Sequence, residues 1–233
     1  MKAIAILTMC GLLAAAAATS DAGGHWEGKI QLPGRELGMT IDLARNAQGA
    51  WVGSMSLLGS TAADVPLDEL TVRDTAINFA AYLPDYASFE GRLSEDRGGL
   101  SGTASNASGG VPFQLARTGE AHVNVPPPNS VLSKEFDGLW EGALAEHGKT
   151  LRVRLKLTPG ADGLATALLT SVDQGSQEIP VTTVTIEGKQ LQVEARGVSG
   201  IYKGTLGANG EIAGEWLQGS NHLPLSFHRA ARP

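Results

Sequence analysis

The chain has 233 residues, of which 42% are hydrophobic and 18% charged, a balance that suits globular domains and excludes a disordered chain. A formal net charge of −6 argues against a nucleic-acid partner, which needs a basic surface, and against adsorption to anionic membranes. Thirty glycines beside only 5% aromatic residues predict many turns and short strands.

The N-terminus reads as an export signal over residues 1–22. Lys2 supplies the positive start, and Ala3 to Ala18 form an apolar run broken only by Thr8, Cys10 and Gly11. Small residues follow, with Ala16-Ala17-Ala18 and Ser20-Asp21-Ala22 as alternative cleavage sites. The run is shorter than the roughly 20 residues that span a bilayer. The expectation is therefore a periplasmic or secreted protein of bacterial type, with no stable membrane anchor after cleavage. Cys10 is the single cysteine and leaves with the signal, so the mature chain has no disulfide, thiolate metal site or cysteine nucleophile.

A first β-module is expected over 23–118. It opens on Gly24-His25-Trp26-Glu27-Gly28 and continues with the alternating apolar residues Leu37, Met39, Ile41 and Leu43. Later stretches with period two run from Phe89 to Leu93, from Leu100 to Ala104, and through Val111, Phe113 and Leu115. A linker over 119–136 contains Val125-Pro126-Pro127-Pro128-Asn129-Ser130, which predicts an extended, semi-rigid spacer.

A second module over 137–233 repeats the first. Gly138-Leu139-Trp140-Glu141-Gly142 restates the opening motif, and Trp26/Trp140, Gly34/Gly148 and Pro66/Pro180 all stand 114 positions apart. The offset falls to 113 at Gly91/Gly204 and to 112 at Arg117/Arg229. Leu151-Arg152-Val153-Arg154-Leu155-Lys156-Leu157 alternates apolar residues with cations, as a half-buried antiparallel strand requires. Short turns such as Glu187-Gly188-Lys189 and Ala208-Asn209-Gly210 join neighbouring strands into hairpins. No stretch after residue 22 keeps helical periodicity beyond a turn or two. The fold class is thus all-β: two tandem antiparallel up-and-down meanders of about eight strands each, barrel-like, with two-sheet sandwiches as the alternative.

The Gly-x-Trp motif on each first strand and an Arg on each last strand resemble lipocalin-like barrels, through Gly24, Trp26 and Arg117, then Gly138, Trp140 and Arg229. First and last strands meet when a barrel closes, so Trp26 with Arg117 and Trp140 with Arg229 are expected to seal each core by cation–π packing. The second copy also resembles the β-rich accessory module ahead of the catalytic domain in some secreted bacterial α/β-hydrolases and serine hydrolases. The matching residues are Ser171-x-Asp173-Gln174-Gly175, Ile179-Pro180, Gly214-x-Trp216-x-Gln218-Gly219 and Leu223-Pro224-Leu225. That resemblance implies a non-catalytic part and, as a partner, an exported hydrolase. The first copy departs from it, with Leu57, Gly59 and Ser60 in place of Ser171, Asp173 and Gln174, and Ala104 and Asn106 in place of Trp216 and Gln218.

Neither G-x-S-x-G nor S-x-x-K occurs, so catalysis is not expected, although a hydrolase stays as a third alternative. The five histidines lack metal-ligand spacing, and neither a metal nor another cofactor is implied. The candidate ligand site is Ser171, Asp173, Gln174, Trp216 and Gln218, on turns that an up-and-down meander brings to one rim of the second module. One aromatic wall with a few polar groups suits a small ligand. The alternative is that Asp173 and Gln218 bond loop backbone. The expected function is an exported non-catalytic binding or accessory protein.

Overall fold

The computed structural model describes residues 22–83, 85–146 and 148–230. Residues 1–21 of the segment read as an export signal, Cys10 included, lie outside them, as does His147.

The chain is all-β. The first module holds β1 (Gly24–Leu32), β2 (Arg35–Arg45), β3 (Trp51–Leu58), β4 (Val65–Pro66), β5 (Asp68–Arg73), β6 (Ala76–Tyr82), β7 (Tyr86–Leu93), β8 (Gly99–Asn106) and β9 (Gly109–Gly119). The second holds β10 (Gly138–Glu146), β11 (Lys149–Pro159), β12 (Ala165–Ser171), β13 (Gln177–Pro180), β14 (Thr183–Glu187), β15 (Gln190–Ala195), β16 (Gly200–Leu206), β17 (Ile212–Gln218) and β18 (Asn221–Arg229). A three-residue 3-10 turn, Arg196–Val198, connects β15 to β16.

Each module is one continuous antiparallel sheet, ordered β4-β3-β2-β1-β9-β8-β7-β6-β5 and β13-β12-β11-β10-β18-β17-β16-β15-β14. The short pairs β4/β5 and β13/β14 are single meander strands broken in the middle, with one piece on each edge of the sheet. Counted so, each module has the eight strands its sequence predicts. Because all strands share one sheet, the arrangement is barrel-like and not a two-sheet sandwich.

At the seam of the first module, Leu67 N donates to Gly53 O at 2.9 Å, tying the broken strand back to β3. In the second module the Pro-rich segment takes part. Ser130 N donates to Val184 O and Ala165 N donates to Ser130 O, at 2.9 and 2.8 Å, so Ser130 lies between β12 and β14. The Asn129 amide spans the same gap, donating to Ala165 O and accepting from Val184 N. Its upstream end binds the first module, where His122 N donates to the Asp42 carboxylate at 2.7 Å.

Alternation along the strands decides what each core contains. On β11, Val153, Leu155 and Leu157 point inward while Arg152, Arg154 and Lys156 face solvent. Phe79 stacks on Phe89 with ring centroids 4.6 Å apart, and Phe113 meets Phe89 edge-on at 5.9 Å. In the second core Tyr202 stands where Phe89 stands in the first and meets Phe227 edge-on at 5.0 Å. Burial pushes the Tyr202 hydroxyl pKa upward, and the hydroxyl donates to Ile212 O at 2.9 Å.

The repeated Gly-x-Trp-Glu-Gly motif closes each barrel. Trp26 and Trp140 are fully buried, and their indole N–H groups donate to Ala22 O and Phe136 O, four residues upstream. Trp26 pairs in register with Arg117 on β9, and Trp140 with Arg229 on β18. The guanidinium carbons lie 4.8 and 4.5 Å from the respective ring centroids. Arg229 also donates to Asp137 O and Glu135 O, fastening the chain that enters β10. The first glycine of each motif has positive φ, +139° at Gly24 and +127° at Gly138, where a side chain is strained. The second lets first and last strands approach: a Cβ at Gly28 would lie 2.8 Å from Leu115 Cα, and one at Gly142 2.7 Å from Ser226 O.

Candidate functional site

Strand direction alternates around each sheet, so one end of every barrel is made by the turns after the first, third, fifth and seventh meander strands. The Trp–Arg pairs plug the opposite end. In the second module the end opposite the Trp140–Arg229 pair includes the 172–176 loop after β12, the 196–199 turn after β15 and the β17–β18 turn. These carry the residues singled out from the sequence.

Ser171 is buried, and its hydroxyl donates to Gln174 Oε1 at 2.7 Å. Trp216 is buried and lies directly over Gly200, whose bare Cα leaves room for the indole: any Cβ there would overlap the ring. Gln218 donates to Val198 O at 2.7 Å. Asp173 faces away from this group. Its carboxylate accepts from the Arg152 backbone N–H at 2.8 Å and Nε at 2.9 Å, and the Arg152 guanidinium holds its pKa below the usual carboxylate range. The structure thus pairs Ser171 with Gln174, ties Gln218 to the 3-10 turn beside Trp216, and leaves Asp173 on the outer surface. Ser171, Gln174 and Gln218 at this end bond one another and backbone, and the Trp216 indole packs on Gly200 beside them.

The first module has the same end built from smaller residues, and there the space is open. Its mouth holds a cavity of about 430 Å3, bounded by residues of all four turns: Leu32 to Arg35, Leu57 with Ser60 to Ala62, Leu83 and Asp85, and Asn106 with Ser108 to Gly110. Ile30, Leu37, Leu57, Phe89, Ala104 and Val111 form its apolar wall. The repeat explains the difference. Ala104 pairs with Phe89 as Trp216 pairs with Tyr202, and Ala87 stands at the place of Gly200. Replacing an indole by a methyl group at this inward position empties the mouth. Leu57, at the place of Ser171, makes the wall apolar. Arg35 and Asp85 sit at the rim, and among the described residues the lining contains no histidine, lysine or cysteine.

Sequence reasoning placed the candidate site in the copy that keeps the polar motif. The signal for the first-module mouth lies in the same aligned positions, read for volume instead of polarity: Trp216 against Ala104, and Ser171 against Leu57. Gly197 is a lining residue that the repeat does not supply, because it comes from the second module.

Fold and mouth together define a class: a tandem pair of small antiparallel barrel-like modules, the first with an apolar cavity at one end. No protein-family model matches the chain, and no curated protein matches it. Two solved structures align over most of it. One is a protein of Bacteroides fragilis described as a "putative outer membrane protein", at 10% identity and a TM-score of 0.27, covering 88% of this chain and 96% of that one. The other is a protein of unknown function of the DUF3598 family from Nostoc punctiforme, at 11% identity and a TM-score of 0.26, covering 89% of this chain and 96% of that one. At these scores neither likeness carries an argument about this chain.

Proposed function

We propose that this is an exported, non-catalytic binding protein that holds one small, mostly apolar molecule in the mouth of its first module. The observation that carries the reading is the exchange of Trp216 for Ala104 at equivalent inward positions, which leaves a cavity of about 430 Å3 walled by aliphatic and aromatic side chains. Ligand sites of roughly 300–1,000 Å3 with apolar walls and a few polar rim groups are the common form of small-molecule pockets. Arg35 and Asp85 at the rim provide one cation and one anion for a polar head, while the wall selects an apolar body. Export rests on the N-terminal sequence and is part of the same proposal.

The test is a titration of the full-length protein with a neutral naphthylamine fluorophore that brightens in apolar surroundings. Saturable one-to-one binding, with displacement by extracts of the protein's native compartment, is expected. Absence of saturable binding by a folded protein overturns the reading. Native mass spectrometry on protein taken from its own source then identifies the retained mass.

A further inference from the structure

The second module touches the first at the mouth just described. The contact is the 3-10 turn Arg196–Val198 with Ser199. Arg196 Nη1 donates to Asn124 O at 2.8 Å and to Asp64 O at 3.1 Å, so one guanidinium nitrogen grips the linker and the loop after β3. Its Nε donates to Glu194 within the second module at 3.2 Å, and its backbone N–H donates to Thr182 Oγ1 at 3.1 Å. The Arg196 side chain is only 10% exposed. Ser199, held at φ +47°, donates its hydroxyl proton to Thr61 O, and Thr61 itself lines the cavity. Between these two anchors Gly197 forms part of the cavity wall, while Val198 packs onto the core of the second barrel.

The repeat shows that this contact is specific to the second copy. The position of Arg196 is Tyr82 in the first module and that of Ser199 is Tyr86, so neither the guanidinium nor the serine hydroxyl has a counterpart there. Gln218, also present only in the second copy, fixes the turn from behind through Val198 O at 2.7 Å. The polar residues of the second mouth therefore have a use other than holding a ligand of their own. They position a turn that reaches across to the neighbouring mouth.

We infer that the second module is a fixed cover for the ligand site of the first, with Arg196 and Ser199 as the latch and Gln218 as a positioning residue behind it. This rests on the first-module site proposed above. The cover narrows the opening through which a bound molecule leaves, so its loss shows in release rate first. Losing hydrogen bonds of net worth near one to two ordinary ones changes a rate by about tenfold.

The experiment uses full-length protein loaded with the neutral naphthylamine fluorophore, whose release is followed by stopped-flow dilution. Arg196→Ala is expected to release it about tenfold faster than wild type, and Gln218→Ala to shift release in the same direction. Arg152→Ala, on the outer surface of the second barrel, is expected to leave it unchanged. Thermal unfolding followed in parallel confirms that each variant is folded. If Arg196→Ala does not fold, Ser199→Ala, which removes one hydrogen bond, takes its place with an expected acceleration of at least threefold. Release within twofold of wild type in the folded latch variants overturns the cover. Ala104→Trp combined with Ala87→Gly, which makes room for the indole, separates the two claims in a variant shown to be folded. If it leaves binding intact, the site itself is misplaced. If it abolishes binding while the latch variants release at the wild-type rate, the site stands and the cover does not.

Discussion

The largest difference in volume between the two mouths is at the inward pair Ala104/Trp216, and exchanging them is the sharpest test of where the ligand sits. In the second module Trp216 is 7% exposed and lies on Gly200. An indole buries roughly 200 Å2, which at about 25 cal/mol per Å2 is worth up to ~5 kcal/mol. Trp216→Ala should therefore cost about 3–5 kcal/mol and open a second mouth. The reverse change needs two substitutions. Ala104→Trp alone sets the indole against the Cβ of Ala87, where the second module has glycine. Ala87→Gly with Ala104→Trp reproduces the second module's packing, and filling an existing cavity adds roughly 0.5–2 kcal/mol, less about 0.5–1 kcal/mol for the new strand glycine. Fluorophore titration is expected to show at least a tenfold weaker Kd for this double variant, a loss of about 1.4 kcal/mol or more. Denaturant melts should place the double variant above the Ala104→Trp single variant in stability. An unchanged Kd in a folded double variant would refute the argument that Ala104 creates the site.

Other expectations follow from the same geometry. Gly28→Ala drives a Cβ against Gln114 O and Leu115 Cα across the closing strands, and should cost at least about 2–3 kcal/mol in urea unfolding. Arg229→Ala removes the guanidinium from the Trp140 face and from two carbonyls, for a loss of about 1–2 kcal/mol measured as a lower midpoint with unchanged slope. The His25 pKa is raised from its ordinary 6.5, chiefly by the hydrogen bond from its ring to Asp42 at 2.9 Å and, more weakly, by Glu27, against partial desolvation. A raised folded-state value means that the pair contributes fully below about pH 6.5 and that this part is lost as pH rises through the folded pKa. Asp42→Asn should flatten the stability–pH curve in that window, and a curve parallel to wild type would count against the pair. Asp173→Asn removes an exposed ion pair and should move both stability and fluorophore affinity little.

Much of the fold was legible along the chain because barrel strands write their faces as alternation. Val153, Leu155 and Leu157 against Arg152, Arg154 and Lys156 state which side is buried before any partner is known, and the turn glycines state where strands end. The 114-residue repeat marks where each module restarts. The broken fourth strand was not legible: Val65–Pro66 and Gln177–Pro180 are too short to show a period, and only the two sheet edges show that each is half of a strand. The bonding of Asn129 and Ser130 was equally hidden, since three prolines beside them describe an extended chain but not the strand edges it meets.

For the candidate site the division is different. Sequence alone determined that the two copies diverge at Leu57/Ser171 and Ala104/Trp216, because aligned positions carry residue identity and therefore both polarity and volume. It did not determine which property matters, since an inward-facing alanine is ordinary core wherever its neighbours close over it. Tertiary structure decided that, by setting Ala104 and Ala87 on one wall with nothing large enough opposite to fill the gap. It also decided that Gly197, 110 positions beyond Ala87 in the chain, lines the same space, a contact made by packing between modules and not by any local pattern.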